Sequence, residues 1–137
     1  MTQSNYTAEI IIKRTVGQVF EFASNIKNFP LWAGASDVEV ISETPNRVGS
    51  VYKVTFSTFL TKSSVNVEIT EYKFPNFFSY KDSTKMILYH YVLEQAEEDA
   101  KVTLNCALDA KPFLLSRLKL DKLLTDLKKY LETHDQI

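Results

Sequence analysis

Hydrophobic and polar residues alternate along the centre of the chain, between about residue 38 and residue 108. Alternation with a period of two predicts strands of an antiparallel sheet that has one buried face. Turn signals separate the alternating stretches, as at residues 45–46 and 75–76. About six strands follow one another without an intervening helix, which excludes a βαβ topology. The alternating apolar positions include Val38 and Val40; Tyr52, Val54 and Phe56; Val65, Val67 and Ile69; and Val102, Leu104, Cys106 and Leu108.

Elements with other spacings flank this β region. A short strand is predicted over residues 6–14, and apolar positions at helical spacing predict a helix over residues 16–25. A second helical piece is predicted over residues 26–32, where Pro30 suits the first turn because it lacks a backbone N–H. A long helix is predicted over residues 112–133, apolar nearly all round in its first turns and amphipathic in its last.

Composition narrows the class of protein. A length of 137 residues indicates one domain over residues 1–137, and a net charge of -1 argues against a dedicated nucleic-acid binder. The single cysteine excludes an internal disulfide and a multi-cysteine metal site. The three glycines argue against a phosphate-binding loop, whereas nine Phe, seven Tyr and one Trp need an extensive surface to pack against.

The start of the chain carries no recognisable targeting signal. Its first nine residues are polar, and the longest early apolar run is at residues 10–12, so we expect neither a secretory signal nor a transmembrane helix. With Cys106 as the only cysteine, we expect a reducing, cytoplasmic location.

The order of these elements resembles the START-like (SRPBCC) superfamily, particularly its polyketide cyclase/dehydrase-like branch. The matching motifs lie at residues 19–22 (VFEF), 28–32 (NFPLW), 47–52 (RVGSVY) and 69–75 (ITEYKFP), and the resemblance covers nearly the whole chain. Residues 14–17 (RTVG) depart from the small-Pro-Pro turn that often precedes the first helix in this branch. The glycine-rich loop of the plant pollen-allergen branch is absent.

The resemblance implies an α+β helix-grip fold. A curved antiparallel sheet of about seven strands would wrap around the long C-terminal helix, with two short helices after the first strand and a cavity in between. It also implies binding or transport of a small apolar molecule, such as a lipid, a sterol or a polyketide, in that cavity. A minority of the family are enzymes, and the fold alone does not choose between these functions.

The abundant aromatic side chains are the candidate ligand-binding residues. The set comprises Trp32, Phe56, Phe78, Tyr80, Tyr89, Tyr91 and Phe113, and Phe59 is a further candidate for the cavity lining. Ligand sites are mostly apolar with a few polar groups, which favours a lined pocket. The alternative is that these rings fill the cavity as ordinary core, and both interpretations stay open.

Few polar residues qualify for catalysis. Tyr89 and Tyr91 share one face of a predicted strand, so His90 takes the other face, where it is expected to flank the sheet rather than act as a general base. Asp82 would share the face of Phe78 and Tyr80, but it lies beside a turn signal and is expected to be a solvated turn residue.

The remaining candidates have structural interpretations. Glu71 is expected to form an ion pair, and Cys106 is expected to be a small buried hydrophobe. His134 lies at the end of the long helix, where a positive charge is favoured. The two histidines are far apart and have no acidic partner at ligand spacing, so no metal and no cofactor are predicted.

Three functions compete at this point. The first is a noncatalytic carrier of a small apolar molecule, with no nucleic-acid partner and no integral membrane association. The second is a cyclase or dehydratase in which Tyr89, Tyr91 and Asp82 orient and protonate an enolizable substrate. The third is an interaction module or homodimer that uses the apolar first turns of the long helix. That surface would consist of Leu114, Leu115 and Leu118.

Overall fold

The computed structural model describes residues 4–84, 86–108 and 117–134. In chain order its elements are β1 (Ser4–Ile12), α1 (Val16–Ala23), a 3₁₀ turn (Ile26–Asn28), α2 (Phe29–Trp32), β2 (Asp37–Ser42), β3 (Val51–Ser57), β4 (Lys62–Lys73), β5 (Phe77–Asp82), β6 (Ile87–Ala96), β7 (Asp99–Leu108) and α3 (Arg117–Thr133). This order confirms the predicted α+β helix-grip fold. Phe113 and the predicted first turn of the long helix lie outside the described residues.

The strands form one antiparallel sheet in the order β1-β7-β6-β5-β4-β3-β2. The first strand, β1, therefore pairs with the last strand, β7, and strands β2 to β7 each pair with their neighbours in sequence. Helix α3 packs along β1 and β7 on the concave face. The buried stripe of α3 recurs at helical spacing and consists of Leu120, Leu124, Leu127 and Leu131.

A β-bulge in β4 changes which side chains face the helix. Ile69 pairs with Tyr80 and Glu71 pairs with Ser79, so one extra residue, Thr70, lies between them. A bulge bends its strand and increases the local twist. It also leaves Glu71 on the convex face and returns Tyr72, which packs against the core, to the concave face.

Helix α1 begins with a capping box formed by Thr15 and Gln18. The backbone N–H of Gln18 donates to Thr15 Oγ1 at 3.2 Å, and the N–H of Thr15 donates to Gln18 Oε1 at 3.1 Å. This reciprocal capping box satisfies two N–H groups that a helix start leaves unpaired. Pro30 lies in the first turn of α2, as predicted, although the predicted piece over residues 26–32 divides into the 3₁₀ turn and α2.

Aromatic rings fill part of the space inside the sheet. Phe78 and Tyr91 stack with centroids 4.6 Å apart, and Phe20 of α1 meets Phe78 edge-on at 5.3 Å. The hydroxyls of Tyr80 and Tyr91 form a buried hydrogen bond of 2.7 Å. This cluster is ordinary core, because its rings are buried and its polar atoms pair with each other.

The leucine stripe of α3 gives the first testable prediction. We expect Leu124→Ala to lower the free energy of unfolding by about 2–5 kcal/mol, because Leu124 is fully buried and its removal leaves a cavity. Urea denaturation measures the change. Thr125→Ala, at the exposed neighbouring position, is the control and should change stability by less than about 0.5 kcal/mol. Equal effects of the two substitutions would contradict the placement of α3.

The buried tyrosines give a pH dependence. Burial raises the pKa of Tyr80 and Tyr91 well above the ordinary value, because a tyrosinate would lose its hydration in the core. Both would ionise near pH 10 when unfolded, so the stability that they contribute is complete below about pH 10 and is lost as the pH rises towards their folded pKa. We expect the free energy of unfolding to fall as the pH rises above about pH 10. The fall should be shallower in Tyr80→Phe and Tyr91→Phe, and unchanged slopes in both variants would refute this origin.

Candidate functional site

A cavity of about 260 Å³ lies between the concave face of the sheet, α2 and α3. Its position follows from the fold, because β3 to β6 curve away from the leucine stripe that holds α3 against β1. Most of the wall is apolar and comes from Phe29, Val54, Phe56, Val65, Val67 and Leu120. Lys119 also lines the cavity and is exposed, so the cavity reaches the surface near the start of α3.

One corner of the cavity is polar and is formed by β5 and β6. Tyr80 and Tyr89 are paired across the two strands, with ring centroids 5.0 Å apart. Asp82 lies two residues after Tyr80 on the same face and also lines the cavity. The corner therefore places two phenol groups and a carboxyl group on one side of an otherwise apolar space.

The expectation that Asp82 is a solvated turn residue was wrong. Asp82 is only 6% exposed, because β5 stays regular to its end and pairs Asp82 with both Val67 and Ile87. The turn begins one residue later, and the N–H of Thr84 donates to Asp82 Oδ1 at 2.9 Å. The alternation of Phe78, Tyr80 and Asp82 was the signal for this placement, and the adjacent turn residues obscured it.

Tyr89 has the hydroxyl best placed to meet a ligand. Its side chain is partly buried and lines the cavity, and within the described ranges no protein group forms a hydrogen bond with that hydroxyl. Burial raises the pKa of Tyr89 above the ordinary value, with smaller contributions from Cys106 and the Asp82 carboxylate. Tyr89 is therefore a protonated hydrogen-bond donor at neutral pH, whereas the hydroxyl of Tyr80 already pairs with that of Tyr91.

The predicted ligand-binding residues divide into two groups. Phe56, Tyr80 and Tyr89 line the cavity. Trp32, Phe78 and Tyr91 are buried among other rings and are not part of its lining. Phe113 lies outside the described residues, and the side chain of Phe59 points away from the cavity wall into solvent, with 99% of it exposed.

Trp32 packs edge-on against Phe29, with centroids 5.5 Å apart. Its buried Nε1 finds no hydrogen-bond acceptor in the part of the chain that the structure describes.

Several lining residues escaped the sequence analysis. Phe29 of α2 and Leu123 of α3 contribute to the wall, and Lys119 contributes to the opening. Phe29 belongs to the NFPLW motif, and Leu123 belongs to the long helix predicted over residues 112–133, but neither was among the candidate ligand-binding residues. Periodicity does not tell which buried residues border an unfilled space.

A second polar group lies on the convex face, away from the cavity. Ser79 is fully buried, its hydroxyl donates to Glu71 Oε1 at 2.7 Å, and its Oγ lies 2.5 Å from His90 Nδ1. His90 Nδ1 is also 3.3 Å from Glu71 Oε1, which makes an ion pair when the imidazole is protonated. His90 therefore faces outward as predicted and does not reach the cavity.

Other nucleophile and metal candidates have structural roles. Cys106 is buried as predicted, and burial raises its pKa to about 12, so the thiol stays protonated and unreactive at neutral pH. His134 stacks on Tyr130 with centroids 3.9 Å apart. Among the described residues, no three His, Cys, Asp or Glu side chains cluster as a metal site would require. No helix within those residues has the length and apolarity needed to cross a bilayer.

Sequence comparisons identify no relative of this chain, since no protein-family model and no curated protein matches it. Solved structures do match. Ara h 8.0201 superposes with a TM-score of 0.78 at 15% identity, covering 97% of this chain and 100% of that one. Major latex-like protein 151 from Panax ginseng gives a TM-score of 0.78 at 15% identity, covering 98% and 99% of the two chains.

A third similar structure is the di-domain ARO/CYC StfQ from the steffimycin biosynthetic pathway. It matches with a TM-score of 0.80 at 10% identity, over 94% of this chain and 45% of that one. Identities this low establish the fold and carry no function with them. The chain has the helix-grip fold that these structures share.

Proposed function

We propose that this protein binds or carries a small, largely apolar molecule in the cavity between the sheet and α3. The observation that carries the proposal is the cavity itself, about 260 Å³ with apolar walls and one polar corner. Small-molecule pockets combine these properties, although their usual range begins near 300 Å³. The aromatic cluster of Phe78 and Tyr91 stops short of this space, which leaves it open to a ligand.

The size of the cavity limits the ligand. An apolar cavity of about 150 Å³ accommodates benzene, so a space of 260 Å³ suits roughly ten non-hydrogen atoms, such as two fused rings. A sterol or a long acyl chain would exceed the described space. A bicyclic aromatic compound or a short polyketide fragment is the better fit.

The polar corner selects a ligand with one hydroxyl or carbonyl group. The Tyr89 hydroxyl is available to donate to such an oxygen. The Asp82 carboxylate, which accepts from the N–H of Thr84, borders the same corner.

The proposal includes the cellular location of the protein and its partners. A reducing, cytoplasmic location is consistent with a single buried thiol, and no nucleic-acid partner is expected at a net charge of -1. The surface expected to form a homodimer, Leu114, Leu115 and Leu118, lies outside the described side chains.

An enzyme is the second candidate, and one observation favours it. Asp82 and Tyr89, two of the three residues expected to act on an enolizable substrate, line the same cavity. Tyr91 does not line it and instead pairs with Tyr80. A carboxylate and a phenol side by side are suited to removing and returning a proton next to a ketone.

Binding of a bicyclic phenol tests the first proposal. We expect 2-naphthol to bind in isothermal titration calorimetry, and Tyr89→Phe to weaken its binding by about three- to tenfold through loss of one hydrogen bond. Naphthalene, which lacks the hydroxyl, should bind both proteins equally. Leu123→Trp should abolish binding of both compounds, because the larger side chain fills the cavity.

Tyr72→Phe provides the matched control, because Tyr72 packs against the core outside the cavity lining. If the wild-type protein binds neither compound, or if Leu123→Trp binds them normally, the proposed cavity function is wrong.

Exchange of an enolizable proton separates the carrier from the enzyme. For 2-tetralone in D₂O, the enzyme predicts that the protein accelerates deuterium exchange beside the carbonyl, as followed by proton NMR. Asp82→Asn should then lose most of the acceleration, typically 10²- to 10⁴-fold for a general acid or base. A bound ketone that exchanges no faster than in buffer identifies the protein as a carrier.

A further inference from the structure

The turn between β3 and β4 presents the two most exposed large hydrophobic side chains of the described residues. Phe59 is 99% exposed and Leu60 is 83% exposed. Scattered apolar residues are normal on a surface, but an adjacent Phe and Leu at the tip of a hairpin, with almost no protein contact, are unusual.

Hydrogen bonds hold this turn in its shape. The N–H of Thr58 donates to the carbonyl of Thr61 at 2.7 Å, and Thr58 Oγ1 accepts from the N–H of Thr61 at 3.0 Å and from that of Leu60 at 3.3 Å. Three backbone N–H groups of the tip are thus paired within the turn. The two apolar side chains are displayed by an ordered turn and not by a frayed end.

The tip extends directly from the cavity wall. Val54 and Phe56 of β3 and Val65 and Val67 of β4 line the cavity, and the turn begins two residues after Phe56. The β5–β6 turn lies at the same end of the sheet, because the N–H of Ser83 donates to the carbonyl of Asn66. The exposed apolar pair therefore lies at the end of the molecule where strands from the cavity wall terminate.

Along the chain, the charge nearest the tip is positive, whereas the acidic Asp37 lies across the sheet, paired with Thr55. Residues 57–67 contain one lysine, Lys62, and no acidic residue. Lys62 is exposed immediately after the turn, and Lys119 is exposed at the cavity opening. A Phe–Leu pair beside a cation is the combination that binds an anionic lipid surface, with the rings among the acyl chains and the charge at the phosphates.

We infer that the tip formed by residues 58–62 docks the protein onto an anionic lipid bilayer. Phe59 and Leu60 insert into the interface, and Lys62 contacts the headgroup phosphates. A narrow tip of two side chains offers far less than the roughly 800 Å² that each partner contributes to a stable protein interface, whereas a bilayer needs no complementary shape. Docking would allow the cavity to exchange its apolar ligand with the bilayer, and this part of the inference rests on the proposed function.

Vesicle flotation tests the docking. Wild-type protein should bind vesicles of phosphatidylcholine containing about one fifth phosphatidylserine, and the double variant Phe59→Ala, Leu60→Ala should bind at least about tenfold more weakly. Lys62→Gln should weaken binding by about fivefold, and only when phosphatidylserine is present. Ile41→Ala is the matched control, because Ile41 is 54% exposed at the opposite end of β2 and should leave vesicle binding unchanged.

Tryptophan fluorescence provides a second measurement, which reports insertion of the tip directly and does not require a variant with weaker vesicle binding. Phe59→Trp should be quenched by brominated lipid, whereas the buried Trp32 of the wild-type protein should not be. Equal quenching of both proteins, or none in the variant, would show that the tip does not insert.

The outcomes separate this inference from the cavity function. Normal 2-naphthol binding by the double variant together with lost vesicle binding supports docking. Wild-type protein that binds 2-naphthol but not vesicles overturns docking and leaves the cavity proposal standing, and the reverse result overturns only the cavity proposal. Concentration-dependent dimerisation that the double variant abolishes would identify a second copy of the chain as the true partner and overturn docking.

Discussion

The bulge between Ile69 and Glu71 decides which face of the sheet receives the side chains in the second half of β4. Side chains alternate along a strand, so an inserted residue moves everything beyond it to the other face. Before the bulge, β4 turns Val65 and Val67 into the cavity; after it, Glu71 joins Ser79 and His90 on the convex side. The bulge therefore places the Glu71 carboxylate beside Ser79 and His90 and keeps it off the concave face.

The aromatic surplus has two roles within one sheet face. Phe78 and Tyr91 stack and close one part of the interior, while Tyr80 and Tyr89 lie beside the open part. Tyr80 connects the two regions, since its ring lines the cavity and its hydroxyl pairs with Tyr91. Some of the rings therefore belong to the packed core and others line the cavity, so both interpretations of the aromatic residues apply, each to a different part of the sheet.

The errors and omissions in the sequence analysis concern residues at the ends of strands and the distance of inward-facing residues from α3. Asp82 had the alternation of a buried strand residue, but its neighbours indicated a turn, and the pairing with Val67 and Ile87 prevailed. Phe59 looked like lining because it is aromatic, yet the hairpin carries it beyond the last contact with the core. Phe78 and Tyr80 lie on the same face of β5, but only Tyr80 lines the cavity. Alternation along a strand predicts the face of a residue and not its distance from α3.

The sequence by itself determined the order of strands and helices along the chain, the buried faces of β3 and β7, and the outward position of His90. These features depend on neighbours within a few residues, where periodicity and capping act. Only the tertiary structure decided that about 260 Å³ stays open, that Tyr89 and Asp82 border it, and that Trp32 does not. Those outcomes depend on how far β3 to β6 curve away from α3, which is a sum of bulge, twist and packing across residues distant in sequence.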